Sequence, residues 1–307
     1  MNKKPRDRKP KDKKLNKVWA YLFIFGLTIA IILFDMLLTS ADPVGRSTLF
    51  IKNDFEKIKL VHPEKVYEKV FYGNSVVISA FIEEKSKSGY VNMGVDYGTV
   101  EDLSKVLEKN MVSIGTDLVV GANYLTFLDT LDTNPTYPWH RKVYEPYFYF
   151  QRDRLYPFIV NGTNSILKGG GFITERYTEL NRCVYYGVLP DEEIDKKIEG
   201  YKEFYWNKGI EYYEKNYEAL QRVIDYCKER DIELRFVWFP WNSYVAKPEN
   251  VVAVEEKAKE ILEHNNIEYI DLADAFGREC FHDLGHLNYE LGAVEFTKEI
   301  DKWLNRE

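Results

Sequence analysis

Ser75 follows Gly73 and Asn74 at the close of a short apolar run, and Asp283 stands three residues before His286 near the far end of the chain. A serine hydroxyl, an imidazole and a carboxylate are the parts of a nucleophilic relay. The imidazole takes the hydroxyl proton, and the carboxylate orients the imidazole. At three apart, Asp283 and His286 can lie on one side of a turn. Two further segments end in groups that donate hydrogen bonds: Asn92-Met93-Gly94 offers a backbone N–H at Gly94, and Gly121-Ala122-Asn123 offers a side-chain amide. Such donors suit an oxyanion. Taken singly, each has a plainer meaning. A serine at a helix start is a common cap, and Gly and Asn are common in turns. His282, Asp283 and His286 also have a spacing found in metal sites, but a third ligand is not evident and Gly285 argues against a helix through both histidines. No metal and no cofactor is expected.

These segments gain weight from the elements around them. Val70–Gly73, Tyr90–Gly94, Asp117–Ala122, Glu233–Phe239 and Ile267–Leu272 read as strands. Helical spacing marks Val76–Lys85, Val100–Lys109, Tyr201–Arg230, Val251–His264 and Tyr289–Asn305. Five strands alternating with helices predict an α/β domain with a central parallel sheet covered on both faces. In such sheets sites form at the carboxyl ends of the strands. Gly94 ends a strand, and Ser75, Asn123 and the Asp283–His286 loop each follow one.

The net charge of −7 conceals an asymmetry. Residues 1–17 carry nine Lys/Arg against two Asp, so residues 18–307 carry −14. An acidic body argues against nucleic acid as a partner. Val18–Phe34 is free of charge, and the apolar run continues past Asp35 to Thr39. Some 20 residues of helix span a bilayer core of about 30 Å, and the run exceeds the apolar core of a cleaved signal. The basic tail ahead of it places the N-terminus in the cytoplasm. The expected order is a cytoplasmic tail (1–17), a single-pass anchor (18–39), a stalk (40–65) and an extracytoplasmic body (66–307). The three cysteines, Cys183, Cys227 and Cys280, exclude a disulfide scaffold.

With these blocks in this order, the chain resembles the SGNH (GDSL-like) hydrolase superfamily. It is similar in particular to membrane-anchored members that work on cell-surface polysaccharides, such as the alginate and cellulose O-acetylation proteins. The resemblance rests on Gly73-Asn74-Ser75, Asn92-Met93-Gly94, Gly121-Ala122-Asn123 and Asp283-x-x-His286, and covers roughly half the chain. It departs at Asn74, where many members have Asp, and at Tyr124, where simple esterases often have Asp. The resemblance implies a flavodoxin-like three-layer fold. It implies Ser75 as nucleophile, His286 as base and Asp283 as its orienter, with an oxyanion hole formed by the Ser75 N–H, the Gly94 N–H and the Asn123 amide.

Between Tyr137 and Phe158 lie nine aromatic residues with interleaved charges, inside an irregular insertion at about 124–200. Trp139, His140, Tyr144 and, beyond the fourth strand, Trp241 are candidates for sugar binding. Core packing is the alternative. The expected function is transfer of an acyl group, acetyl first, to a polysaccharide acceptor through an ester on Ser75. By the resemblance, a polytopic membrane O-acyltransferase supplies the acyl donor. The alternatives are a deacetylating esterase, a teichoic-acid D-alanyl transfer protein and an inactive glycan-binding scaffold.

Overall fold

The computed structural model describes residues 10–41, 53–131, 133–134, 137–140, 160, 162–164, 166–170 and 183–306. They fall into two units, one of residues 1–50 with 141–177 and one of residues 51–140 with 178–307.

In the first unit, helix α1 runs over Pro10–Ala41. Its Asn16–Ala41 stretch is long and apolar enough to cross a membrane. Bulky side chains such as Trp19, Phe23, Phe25 and Phe34 are exposed along it, as expected of a helix whose apolar surface meets lipid.

The second unit contains the sheet. Its elements are α2 (Asp54–Val61), β1 (Val66–Gly73), α3 (Ser75–Ala80), β2 (Val91–Gly94), α4 (Val100–Glu108), β3 (Ser113–Ala122), α5 (Asp191–Phe204), α6 (Glu214–Glu229), β4 (Glu233–Trp238), α7 (Glu249–His264), β5 (Glu268–Asp271) and α8 (Gly292–Asn305). The five strands are parallel in the order β2-β1-β3-β4-β5. This is the flavodoxin-like order, whose switch point lies beside β1 and β3.

Strand alternation splits the apolar runs between two layers. Val70, Tyr72, Leu118, Val120, Phe236 and Trp238 pack with α4, α6 and α7. Phe71, Val119 and Val237 face the other way, against α3 and α8. Burial on both faces is why the strands read as nearly continuous apolar runs.

Glycines set how closely α3 meets the sheet. Gly73 and Gly121 are neighbours in register at the ends of β1 and β3. A Cβ at Gly73 would stand 2.7 Å from the Gly121 carbonyl oxygen and collide with the Val77 side chain. The absence of both Cβ atoms lets the first turn of α3, and Ser75 with it, sit directly over the strand ends.

Three expectations need correction. The stretch Tyr201–Arg230 is not one helix. The chain breaks after Phe204 and passes through Asn207, Lys208 and Gly209 before α6 begins, so Trp206 can turn inward against Trp241. Asp54–Val61, expected within the stalk, is instead helix α2 of this unit, which buries Phe55 and Ile58 in the main core. Val76–Lys85 is not a single helix either. α3 stops at Ala80, and Asn92 takes up the Val77 and Phe81 carbonyls through its side-chain amide.

Candidate active site

Ser75 is the first residue of α3, and the Asn74 side chain caps the helix by accepting from the Val76 N–H. Ser75 Oγ lies 2.9 Å from His286 Nε2. On the far side of the ring, His286 Nδ1 lies 3.0 Å from Asp283 Oδ1 and 3.1 Å from Oδ2. The three residues stand in the order hydroxyl, imidazole, carboxylate, at hydrogen-bonding separations that permit proton transfer.

The loop that carries the pair is held from several directions. Phe281 and Leu287 form an antiparallel bridge. The His282 N–H donates to the His286 carbonyl at 2.8 Å, and the Asn288 N–H donates to the Cys280 carbonyl at 2.8 Å. The buried Asn242 side chain donates to the Asp283 carbonyl, also at 2.8 Å. Only 3% of Asp283 is exposed, so its carboxylate depends on protein donors. Oδ1 accepts from the N–H groups of Gly285 (3.0 Å) and His286 (2.8 Å), and Oδ2 accepts from Lys197 Nζ at 3.0 Å. Burial alone would raise the Asp283 carboxyl. The hydrogen bond and charge of His286, with the two loop N–H groups, outweigh it and hold the group well below the usual carboxylate range. Tyr185 stacks on the imidazole with ring centroids 4.4 Å apart.

Asn74 also orients Asn123. Its Nδ2 donates to Asn123 Oδ1 and to Thr126 Oγ1, both at 3.2 Å. Asn123 Oδ1 further accepts from the Thr126 N–H. With its oxygen engaged in this way, the Asn123 amide keeps Nδ2 as the donor that remains. Asn123, Ser75 and His286 line one cavity of about 200 Å³, walled in part by Tyr124, Tyr201, Trp206 and Trp241. Two carboxylates also line it. Glu255 is paired with Lys247 Nζ at 2.6 Å. Asp96 has no lysine or arginine within ion-pair distance among the described residues. Burial and the neighbouring Asp54 raise its carboxyl, while His286 lowers it.

The other expected site residues divide. Trp241 reaches the cavity. Gly94 does not: its N–H donates to Asn92 Oδ1 at 3.0 Å, so that donor is already engaged. A Cβ there would press on the Ile78 N–H of α3 at 2.8 Å, and close packing explains the glycine. Trp139 is core. It stacks on Tyr137 at 4.6 Å, and its Nε1 donates to the buried Asp102 at 2.7 Å. His140 meets the same Asp102 oxygen at 2.7 Å and is absent from the cavity. Tyr144 lies outside the described residues. Sequence reasoning missed Asp96, Tyr185, Lys197 and Asn242. The strand-end rule that selected Gly94 reaches Asp96 two residues further on, but nothing periodic marks Tyr185 or Lys197.

Residues 185–305 match the family model described as DltD protein. The match covers less than half of the chain and includes Asp283 and His286 but not Ser75 or Asn123. No curated protein matches. Among solved structures, the chain is similar to a Bacteroides fragilis protein assigned as an acylhydrolase, at 12% identity and a TM-score of 0.39, over 78% of this chain and 87% of that one. It is also similar to an acetyl xylan esterase, at 12% identity and a TM-score of 0.37, over 78% and 98%. At these TM-scores the two structures add nothing to the reading of the site. The strand order is flavodoxin-like, the Ser75–His286–Asp283 array is assembled at the strand ends, and the C-terminal part of the chain is similar to the DltD model.

The Asp283 carboxyl titrates below its unfolded value of about 3.9. Its stabilisation is therefore present above that pH and lost as pH falls through the lower folded value. In urea unfolding of the full chain in detergent, Asp283→Asn is expected to be less stable by about 2 kcal/mol at pH 7. The gap to wild type should narrow steadily below about pH 4.

Proposed function

We propose that this chain transfers an acyl group, by way of an ester on Ser75, to a hydroxyl of a cell-envelope polymer outside the cytoplasmic membrane. The observation that carries the reading is the Ser75–His286–Asp283 array, with its 2.9 Å and 3.0 Å contacts. His286 Nε2 takes the Ser75 proton as Oγ attacks the donor carbonyl, and Asp283 supports the imidazolium. The oxyanion is received by the Ser75 N–H and Asn123 Nδ2. His286 then returns the proton to the leaving group. An acceptor hydroxyl repeats the sequence in reverse, and its proton passes to His286 as the ester moves to the polymer. An assembled relay favours this reading over an inactive scaffold.

The membrane reading rests on α1 and on the basic residues before it, which favour a cytoplasmic N-terminus and a catalytic unit outside. A polytopic membrane acyltransferase supplying the donor fits that placement, and an acidic body does not suit nucleic acid.

For the acyl group, Asp96 favours a cation. A half-buried carboxylate without a basic partner among the described residues, beside the reacting serine, is suited to an ammonium group. A D-alanyl ester carries one, and a teichoic acid is then the acceptor. The likeness to the DltD model points the same way. Acetyl transfer to a polysaccharide, which the sequence favours, leaves Asp96 without a role. The aromatic cavity walls bring the acceptor near the ester, and positioning is worth about 7–11 kcal/mol against attack by bulk water.

Two outcomes follow from these assignments. Asn74→Asp removes the donor that faces Asn123 Oδ1, so the Asn123 amide turns its Nδ2 away from the cavity. Turnover of a model ester should fall about 10²-fold, as for loss of an oxyanion donor, with the circular-dichroism spectrum unchanged. Offered D-alanyl and acetyl thioesters with teichoic-acid fragments, the full chain should transfer D-alanyl preferentially. Asp96→Asn should lower that transfer at least about tenfold and leave acetyl turnover nearly unchanged. Equal losses for both donors would remove the cationic acyl group from the account, and release of free acid without acceptor product would make the chain an esterase.

A further inference from the structure

α5 touches the catalytic loop through one face. Ile194 and Ile198 pack with Leu284 in a small apolar cluster. Lys197 stands on the same side, three residues after Ile194. Its Nζ lies 3.0 Å from Asp283 Oδ2. One turn further on, Tyr201 lines the cavity that holds Ser75. The helix that builds part of the cavity wall therefore also delivers a cation to the triad carboxylate.

The geometry around that carboxylate is uneven. Oδ1 has three protein partners: the Gly285 N–H, the His286 N–H and His286 Nδ1. Oδ2 has Nδ1 at 3.1 Å and the lysine. Lys197 is thus the sole donor to the Asp283 carboxylate from outside the loop among the described residues. Without it, a carboxylate that is 3% exposed loses a charged partner at Oδ2, a poorly tolerated loss at a buried site. Lys197 itself stays partly open to water, with 42% of its side chain exposed. Its charge is screened but not abolished.

We propose that Lys197 is a positioning residue of the triad, clamping Oδ2 of Asp283 and offsetting part of the pull that this carboxylate exerts on a protonated His286. The catalytic consequence rests on the acyl-transfer reading above; the electrostatic one does not. Among the described residues, the charged groups that face His286 are Asp283 from its own loop, Lys197 from α5 and Asp96 from the segment after β2. Tyr185 covers the ring, and burial keeps its hydroxyl neutral at working pH. Ser75 contributes no charge. Removal of Lys197 leaves two anions and no fixed cation in this set, so the protonated imidazole gains stability and the free base is reached at higher pH.

The experiment compares wild type, Lys197→Gln and Lys197→Arg as full chains in detergent. Hydrolysis of p-nitrophenyl acetate is followed across pH. In Lys197→Gln, kcat should fall about 3–10-fold with KM nearly unchanged, and the acidic limb of kcat/KM should move up by roughly half to one pH unit, as expected for a partly screened charge that reaches the imidazole through the shared carboxylate. Lys197→Arg should restore the limb. Lys197→Met, which keeps the length of the stem, serves if the glutamine variant does not fold. In parallel, the ring-nitrogen signals of His286 are titrated by NMR in a Ser75→Ala background, which needs no turnover. The upward shift in Lys197→Gln should appear there as well. A pH-independent loss of activity with coincident His286 titrations would reduce Lys197 to a surface tether and overturn the proposal. If wild type turns over no ester yet the titration moves, the positioning role stands and the acyl-transfer reading falls.

Discussion

A carboxylate almost sealed from water must be satisfied by protein donors, and much of the sheet-bearing unit is arranged around that demand at Asp283. Its partners come from the loop itself and from α5. The loop keeps its shape through the Phe281–Leu287 bridge and the Asn242 side chain, which reaches over from the segment after β4. Held this way, His286 places Nε2 2.9 Å from Ser75 Oγ. The serine is placed by a different device, the pair of glycines that lets α3 close onto the ends of β1 and β3. The relay is thus the meeting of a polar constraint in the C-terminal half with a steric one in the N-terminal half.

The two halves were unequally legible in the sequence. Strands β1, β3 and β4 announce themselves because a parallel sheet buried on both faces needs continuous apolar runs. Their ends, marked by Gly73, Asn123 and Pro240, fall where the turn chemistry says they should. Ser75 follows from the end of β1, and Asp283 and His286 from the loop after the fifth strand. Gly94 misled because a glycine after a strand is read as a free donor, whereas here it makes room for α3 while its N–H is taken by Asn92. Trp139 misled because an aromatic among charges looks like a sugar platform. Its indole N–H instead satisfies the buried Asp102, in the first turn of α4. Lys197 and Tyr185 could not be found from spacing, since each meets its partner far along the chain and nothing in the local pattern marks it.

Asn74 connects the sequence to the chemistry most closely. Where the resemblance leads one to expect Asp, an amide can both accept from the α3 N-terminus and donate to Asn123. A carboxylate at this place has no hydrogen to give at neutral pH. The choice of amide and the orientation of Asn123 are therefore two parts of one arrangement. Asp96 extends the same logic under the proposed function: with no basic partner among the described residues, its carboxylate would favour a cationic group arriving beside Ser75.

On the proposed reading, His286 activates Ser75 as a nucleophile. A fluorophosphonate reacts covalently with such a serine, and peptide mass spectrometry of the labelled full chain locates the adduct. The account predicts a stoichiometric adduct on the peptide containing Ser75, absent in Ser75→Ala and formed far more slowly in His286→Ala, in which the relay is broken. An adduct on another residue, or labelling of Ser75 at the same rate with and without His286, would contradict it.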